Sequence, residues 1–305
     1  MGWFHDLTGL ASDAPDAVRA GIEVLADGRL RTPARVIDPG RVSLPSLADL
    51  RGIARSDAPN RWREVVGDVT ALHADPANAG DLFQVASQFN LLEMPEPGVT
   101  PDHGIANYET DRTQGPACAM ACGAGTIWRN YFLPLDGQVG QSAGRQVDTL
   151  ADLGAALMPD WAEAMEMRNG YALPRPGGLD RIAAALHGAD SEALKGRLRV
   201  GVQKDTEVTL PGAGHRVHQV YASALPVAYG RETATAWEPL ARLVLEAAYE
   251  ATLLAALEVG ASRVWLTRLG GGAFGNRAEW IDDAIALAAQ RVETGGLDVV
   301  MVRHG

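Results

Sequence analysis

Residues 263–291 read RVWLTRLGGGAFGNRAEWIDDAIALAAQR. Arg263–Thr267 is a short apolar run of strand character, and over Ala278–Arg291 the apolar residues recur at helical spacing. Between them lie Gly270, Gly271, Gly272 and Gly275. A strand that runs through glycines into a helix is the building unit of an α/β sheet. Glycines let the backbone turn with positive φ and approach a ligand closely, and the following helix start offers free N–H groups. Two readings stay open on pattern alone: a phosphate cradle, or a turn that packs strand against helix. No Gly-Lys-Ser/Thr follows, and both the glycine spacing and the late position depart from the dinucleotide fingerprint G-x-G-x-x-G.

Working outward, the last third alternates strands and helices. Leu198–Val202 and Val217–Leu225 read as strands, about Ala236 to Leu257 as a long helix, and LDVVMV at 297–302 as a terminal strand. Upstream, Trp62–Leu72 and Asp81–Ser87 read as further strands, the second running out into Gln88, Phe89 and Asn90. Such a strand end is where open α/β sheets bind ligands. The first sixty residues form a helical or irregular lead-in punctuated by Pro33, Pro39, Pro45 and Pro59. Residues 150–187 read as a helical insertion, with LADLGAALM and LDRIAAALH as its amphipathic pieces and PRPGG as its hinge, in a position to cap the site. We therefore expect an α/β/α domain over 61–305, with a mixed sheet between helical layers, an extension over 1–60 packed on it, and an insertion at about 150–190.

Composition supports a packed globule: 305 residues, 47% hydrophobic and 21% charged. The net charge of −11 repels phosphate backbones and anionic lipid, so neither nucleic acid nor a membrane is an expected partner. Local amides can still bind a compact phosphate. The polar N-terminal stretch has no basic n-region and no window approaches 18 apolar residues, which makes cytoplasmic residence the expectation. Cys118 and Cys122 are one helical turn apart with no histidines nearby, so they read as small core residues, and no cofactor or metal is expected.

The stretch 83–131 carries Asn90, Glu93, Glu96, Asp102, His103, Asn107, Glu109 and Asp111 beside apolar sequence, with a long loop over 91–114 and a helix through 117–131. Carboxyl groups held together in a partly dry site acquire separated proton affinities, so one can activate water or a ribose hydroxyl while another stabilises a cation. A solvated acidic loop is the alternative; a calcium site lacks the EF-hand spacing. His215 and His218 read as packing or surface residues, and Ser87 and Ser223 lack a nucleophile elbow. Trp128, Tyr131, Phe132 and Phe274 flank the expected site.

These residues resemble the macrodomain superfamily of ADP-ribose binders and ADP-ribosylhydrolases. VASQFNLLE at 85–93 is similar to the stretch where a strand ends in an Asn-bearing loop, LTRLGGGAFGN at 266–276 to the diphosphate loop of poly(ADP-ribose) glycohydrolases, and GDVT at 67–70 to the Gly-Asp-Ile/Val-Thr of macrodomain starts. MPEPGVTPDHG replaces the usual glycine-rich catalytic loop and the Gln-Glu-Glu signature is absent, which turns the expectation from polymer cleavage towards a divergent branch that includes bacterial effectors acting on ADP-ribosylated arginine. The resemblance implies a macrodomain-like fold, and ADP-ribose or an ADP-ribosylated protein as partner. It also implies ligand contacts from Gln88, Phe89, Asn90, Asn107, Gly270, Gly271, Gly272, Ala273, Phe274, Gly275 and Asn276. Asp102 and Asp111, with Glu93 as third candidate, are the expected catalytic carboxylates. A reader that binds without turnover, or an enzyme for another nucleotide-linked metabolite, remains the alternative.

Overall fold

The computed structural model describes residues 2–303. Its centre is a seven-stranded mixed sheet. In chain order the strands are β1 (Arg41–Ser43), β2 (Arg61–Val66), β3 (Leu82–Ala86), β4 (Gly201–Glu207), β5 (Arg216–Ala222), β6 (Arg263–Leu266) and β7 (Asp298–Arg303). Their spatial order is β1-β4-β5-β3-β6-β7-β2. The run from β5 to β2 is parallel, whereas β4 lies antiparallel to both its neighbours. The parallel strands therefore end at one edge of the sheet, and the ligand-binding crevice of such a sheet is expected there.

The helices used below are α1 (Val69–Ala74), α2 (Gln114–Ala121), α3 (Ala234–Val259) and α4 (Ala278–Arg291). Central strand β3 is buried on both faces and reads as a nearly continuous apolar run for that reason. Leu82 packs with Val264, Val299 and the helices α3 and α4. Phe83 points the other way, stacked between His73 of α1 and Trp265. The arrangement is the expected α/β/α sandwich. Among the described residues no helix is long and apolar enough to cross a membrane.

Four local expectations are corrected. The strand expected over Trp62–Leu72 stops at Val66, because the Asp68 carboxylate accepts the amides of Thr70 and Ala71 and caps α1. The strand expected at Leu198–Val202 begins at Gly201 and runs through a bulge between Gln203 and Thr206, which hides its alternation. The helix expected through 117–131 starts earlier, at Gln114, and breaks into α2, a turn over Gly123–Ile127 and a π-helical turn over Trp128–Phe132. Close packing against Leu7 and Thr206 accompanies the break: a Cβ on Gly123 would lie 2.6 Å from Leu7, and one on Gly125 3.0 Å from Thr206. Within the insertion, Met165–Arg168 and Tyr171–Pro174 form an antiparallel hairpin between the helical pieces.

The segment before β2 contributes β1 to the sheet edge. Its first helices pack Phe4, Leu7, Val18 and Ile22 against Ile105, Tyr108, Ile127 and Tyr131. They also tie down the acidic loop, since the Asp13 carboxylate accepts the Ala106 amide at 2.8 Å and Trp3 Nε1 donates to the Ala106 carbonyl at 3.2 Å.

Candidate functional site

At the C-terminal edge of the parallel strands lies a groove of two chambers. The first, of about 220 Å³, is walled by the end of β3, residues 93–95, Asp111, the start of α2, Tyr171, Tyr229 and the glycine loop. The second, of about 310 Å³, is walled by Asp68, Val69, Phe83, Arg112, Trp265, Leu266 and Val302. Both share Thr113, Gln114, Thr267 and Gly272, so the chambers meet at a waist between α2 and the glycine loop.

Tertiary contacts fix the glycine loop. The buried Tyr249 hydroxyl of α3 donates to the Thr267 carbonyl at 2.8 Å and accepts the Leu269 amide at 2.8 Å. Asn276 donates its side-chain amide to the Leu225 carbonyl at 2.8 Å, and its backbone amide closes the loop on the Gly270 carbonyl at 2.9 Å. Gly270 has φ +73° and its α-carbon faces Ala224 so closely that a Cβ would sit 2.5 Å from that methyl, so only glycine fits. The amides of Gly271 and Gly275 are spent inside the loop, on Arg268 and Gly272. Those of Gly270, Gly272, Ala273 and Phe274 have no acceptor among the described residues. Across the waist, the amides of Gln114 and Gly115 at the start of α2 have no acceptor among the described residues either. Gln114 and Gly272 thus bring unpartnered amides to the waist from its two sides, and Gly115, Gly270, Ala273 and Phe274 bring theirs to the wall of the first chamber, a donor set suited to a compact anion.

The acid side is set by a tight turn after β3. Gln88 clasps Met94 from both sides, accepting its amide at 2.7 Å and donating to its carbonyl at 3.0 Å. Asn90 accepts the Leu92 amide at 3.1 Å, and Leu91 takes φ +64°, a left-handed conformation unusual for a branched side chain. The turn delivers Glu93 to the wall of the first chamber, 2% exposed, with neither carboxyl oxygen hydrogen-bonded among the described residues. Burial pushes its carboxyl up to about 8, against the pull of the Arg129 guanidinium, whose Nη2 lies 3.9 Å from Oε2. At neutral pH Glu93 therefore carries its proton. Asp111 lines the same chamber, half-buried, and accepts the Thr113 amide at 2.8 Å.

Of the expected site residues, the structure brings Glu93, Asp111, Gln88, Gly270, Gly272, Ala273 and Phe274 to one chamber. It does not bring Asp102 there: that side chain is exposed and accepts the Ala143 amide at 2.8 Å. Phe89 is in the core, Asn90 is buried and donates to Gln146 at 2.8 Å, and Asn107 lies half-buried in a 3₁₀ turn away from the chambers. Gly271, Gly275 and Asn276 shape the loop from outside the cavity. The aromatic wall also differs from expectation. Tyr131 and Phe132, with Trp128 against them, belong to the core beneath the N-terminal helices, and Phe274 is joined instead by Tyr171 and Tyr229 at ring-centroid distances of 5.4 and 5.7 Å. The sequence reading missed Gln114, whose side chain extends the β3 ladder by accepting the Ala86 amide and donating to the Gln84 carbonyl. Its signal was Pro116, a residue favoured in the first turn of a helix. No sequence signal placed Tyr171, 78 residues beyond Glu93 in the chain, at this wall.

No protein-family model and no curated protein sequence matches the chain. Solved structures of poly(ADP-ribose) glycohydrolases do align with it. The enzyme from Thermomonospora curvata aligns at 15% identity and a TM-score of 0.48, over 98% of this chain and 93% of that one. Its form bound to the inhibitor ADP-HPD gives 14% and 0.47 over the same shares. The enzyme from Deinococcus radiodurans in complex with ADP-ribose gives 12% and 0.45, over 86% of this chain and 87% of that one.

Proposed function

We propose that the protein is an ADP-ribosylhydrolase that cleaves the N-glycosidic bond between the distal ribose of ADP-ribose and a modified protein side chain, with arginine the favoured acceptor. The observation that carries this reading is the two-chambered groove whose waist is lined from both sides by unpartnered backbone amides, with two carboxyl groups, Glu93 and Asp111, in one chamber. A diphosphate suits the waist. A nucleoside suits the chamber of Phe83 and Trp265, and the distal ribose that of Glu93 and Asp111.

The chemistry follows from the two carboxyls. As the C1–N bond lengthens, positive charge builds on the ribose carbon and ring oxygen, and the Asp111 carboxylate stabilises it. Glu93 gives its proton to the departing nitrogen; Asp111 takes a proton from the water whose oxygen bonds to C1. The bound water replaces the broken bond, and the two carboxyls end with their protonation exchanged. Arginine is supported by the sequence resemblance and by the chamber wall, since the exposed Tyr229 ring lines the same chamber as Asp111 and suits a guanidinium.

Incubation with a protein ADP-ribosylated on arginine tests this. Wild type is expected to release ADP-ribose, and neither Asp111→Asn nor Glu93→Gln to do so at a comparable rate. No release, together with no ADP-ribose affinity at millimolar concentration, sinks the reading. A binding-only module is the second reading, favoured by the hydrogen bond that Asp111 accepts from the Thr113 amide, which gives that carboxylate a structural task at the approach to α2. Calorimetric binding of ADP-ribose without product from any modified acceptor would select it.

A further inference from the structure

We propose that Arg129, sealed behind the wall of the acid chamber, is the positioning residue for Glu93: it pins the turn that presents the carboxyl and holds a fixed positive charge behind it. The part of this inference that concerns catalysis rests on the hydrolase reading above.

Geometry carries the inference. Arg129 is 0% exposed and sits in the π-helical turn that follows the broken helix. Its Nε donates at 2.9 Å to the carbonyl of Leu91, the residue held at φ +64° two positions before Glu93. A strained left-handed residue persists only where its surroundings over-determine it, and this bond is one such constraint. The fork is completed by Nη1 on Gln203 Oε1 at 3.3 Å and Nη2 on Thr126 Oγ1 at 3.2 Å, and the guanidinium carbon lies 3.6 Å from the centre of the Tyr221 ring. Neutral acceptors and an aromatic face thus solvate the cation, so it does not need the carboxylate to stay buried. Glu93 lies at 3.9 Å, beyond hydrogen-bond reach but well inside Coulombic reach.

The other groups around Glu93 do not supply that charge. The Tyr108 hydroxyl accepts the Glu93 amide at 2.9 Å, and burial raises Tyr108, Tyr221, Cys118 and Cys122, so all four stay neutral. Asp111, which lines the same chamber, is a carboxyl group and brings no cation. Among the described residues Arg129 is the cation within ion-pair distance of Glu93. A carboxyl in so dry a place would otherwise hold its proton too tightly to give it up in a turnover. The nearby charge brings donation and reprotonation within reach of neutral pH.

The test is the titration of Glu93 itself, read by carbon NMR of its labelled carboxyl in wild type, Arg129→Lys and Arg129→Gln, with ADP-ribose calorimetry as the fold control. Removal of an opposite charge at this distance is expected to move the midpoint up by about 1–3 pH units in Arg129→Gln. Arg129→Lys, which keeps a charge, should move it less. Any alkaline limb of the hydrolysis rate should shift with the midpoint. A midpoint unmoved in both variants overturns the inference. Should Arg129→Gln not fold, Arg129→Met, which is uncharged and close in length, decides: a midpoint identical to wild type counts against Arg129. A shifted midpoint with no hydrolysis by wild type at any pH leaves the positioning role standing and refutes the hydrolase reading instead.

Discussion

Replacing Glu93 with Gln should stabilise the protein, and by an amount that depends on pH in a stated way. Glu93 has its folded-state proton affinity raised from 4.5 to about 8 by burial. Between those values the unfolded chain has released the proton while the folded chain retains it, so the folded state binds more protons and stability falls as pH rises. The contribution is intact below 4.5 and fully lost above about 8. A difference of about 3.5 units at about 1.4 kcal/mol each comes to about 5 kcal/mol. Glutamine keeps the shape and has no proton to lose. The difference in unfolding free energy between Glu93→Gln and wild type should therefore be small near pH 4.5 and grow by about 1.4 kcal/mol per unit to a plateau above pH 8. Urea unfolding at one-unit intervals, with equal m-values for the two proteins, measures it directly. A difference that stays flat from pH 5 to pH 9 would refute the claim that Glu93 is buried as the neutral acid, and with it its role as proton donor.

The remaining predictions bear on the neighbouring parts. Asp111→Asn should lower the hydrolysis rate by about 10²–10⁴-fold with ADP-ribose affinity retained, whereas Asp102→Asn should stay within about twofold of wild type because its carboxylate lies outside the chamber. Equal losses for the two would mean that the chamber is not the site. Gly270→Ala combines a left-handed φ of +73° with a Cβ 2.5 Å from Ala224, and should cost about 1–3 kcal/mol in urea unfolding along with ADP-ribose affinity. His73, buried and neutral with its proton affinity lowered from 6.5 to about 4, makes the opposite contribution to that of Glu93. Its stabilisation is present above pH 6.5 and is lost as pH falls towards 4, about 3 kcal/mol in all, so His73→Gln should show a flatter acid limb in the same unfolding series.

The sequence by itself determined the layer architecture and the glycine loop, because both are written in local patterns. Apolar β3 and β6 announce strands buried on both faces, α4 follows from helical periodicity over Ala278–Arg291, and four glycines between strand and helix mark a backbone that must turn sharply. Glu93 and Asp111 were legible as carboxyls in an acidic stretch, but Asp102 was preferred to Glu93. Residue type says nothing of which way a loop side chain faces, and the loop is folded by partners far away in the chain. Asp13 and Trp3 hold it on one side, and Tyr171 of the hairpin packs beside it at Met94 on the other. Only the tertiary structure decided that Glu93 is dry and Asp102 wet, that Arg129 stands behind the first, and that Tyr171 and Tyr229 complete the wall around Phe274. Proton affinity depends on burial and on charges brought near across the chain, and neither is a property of any short stretch of residues.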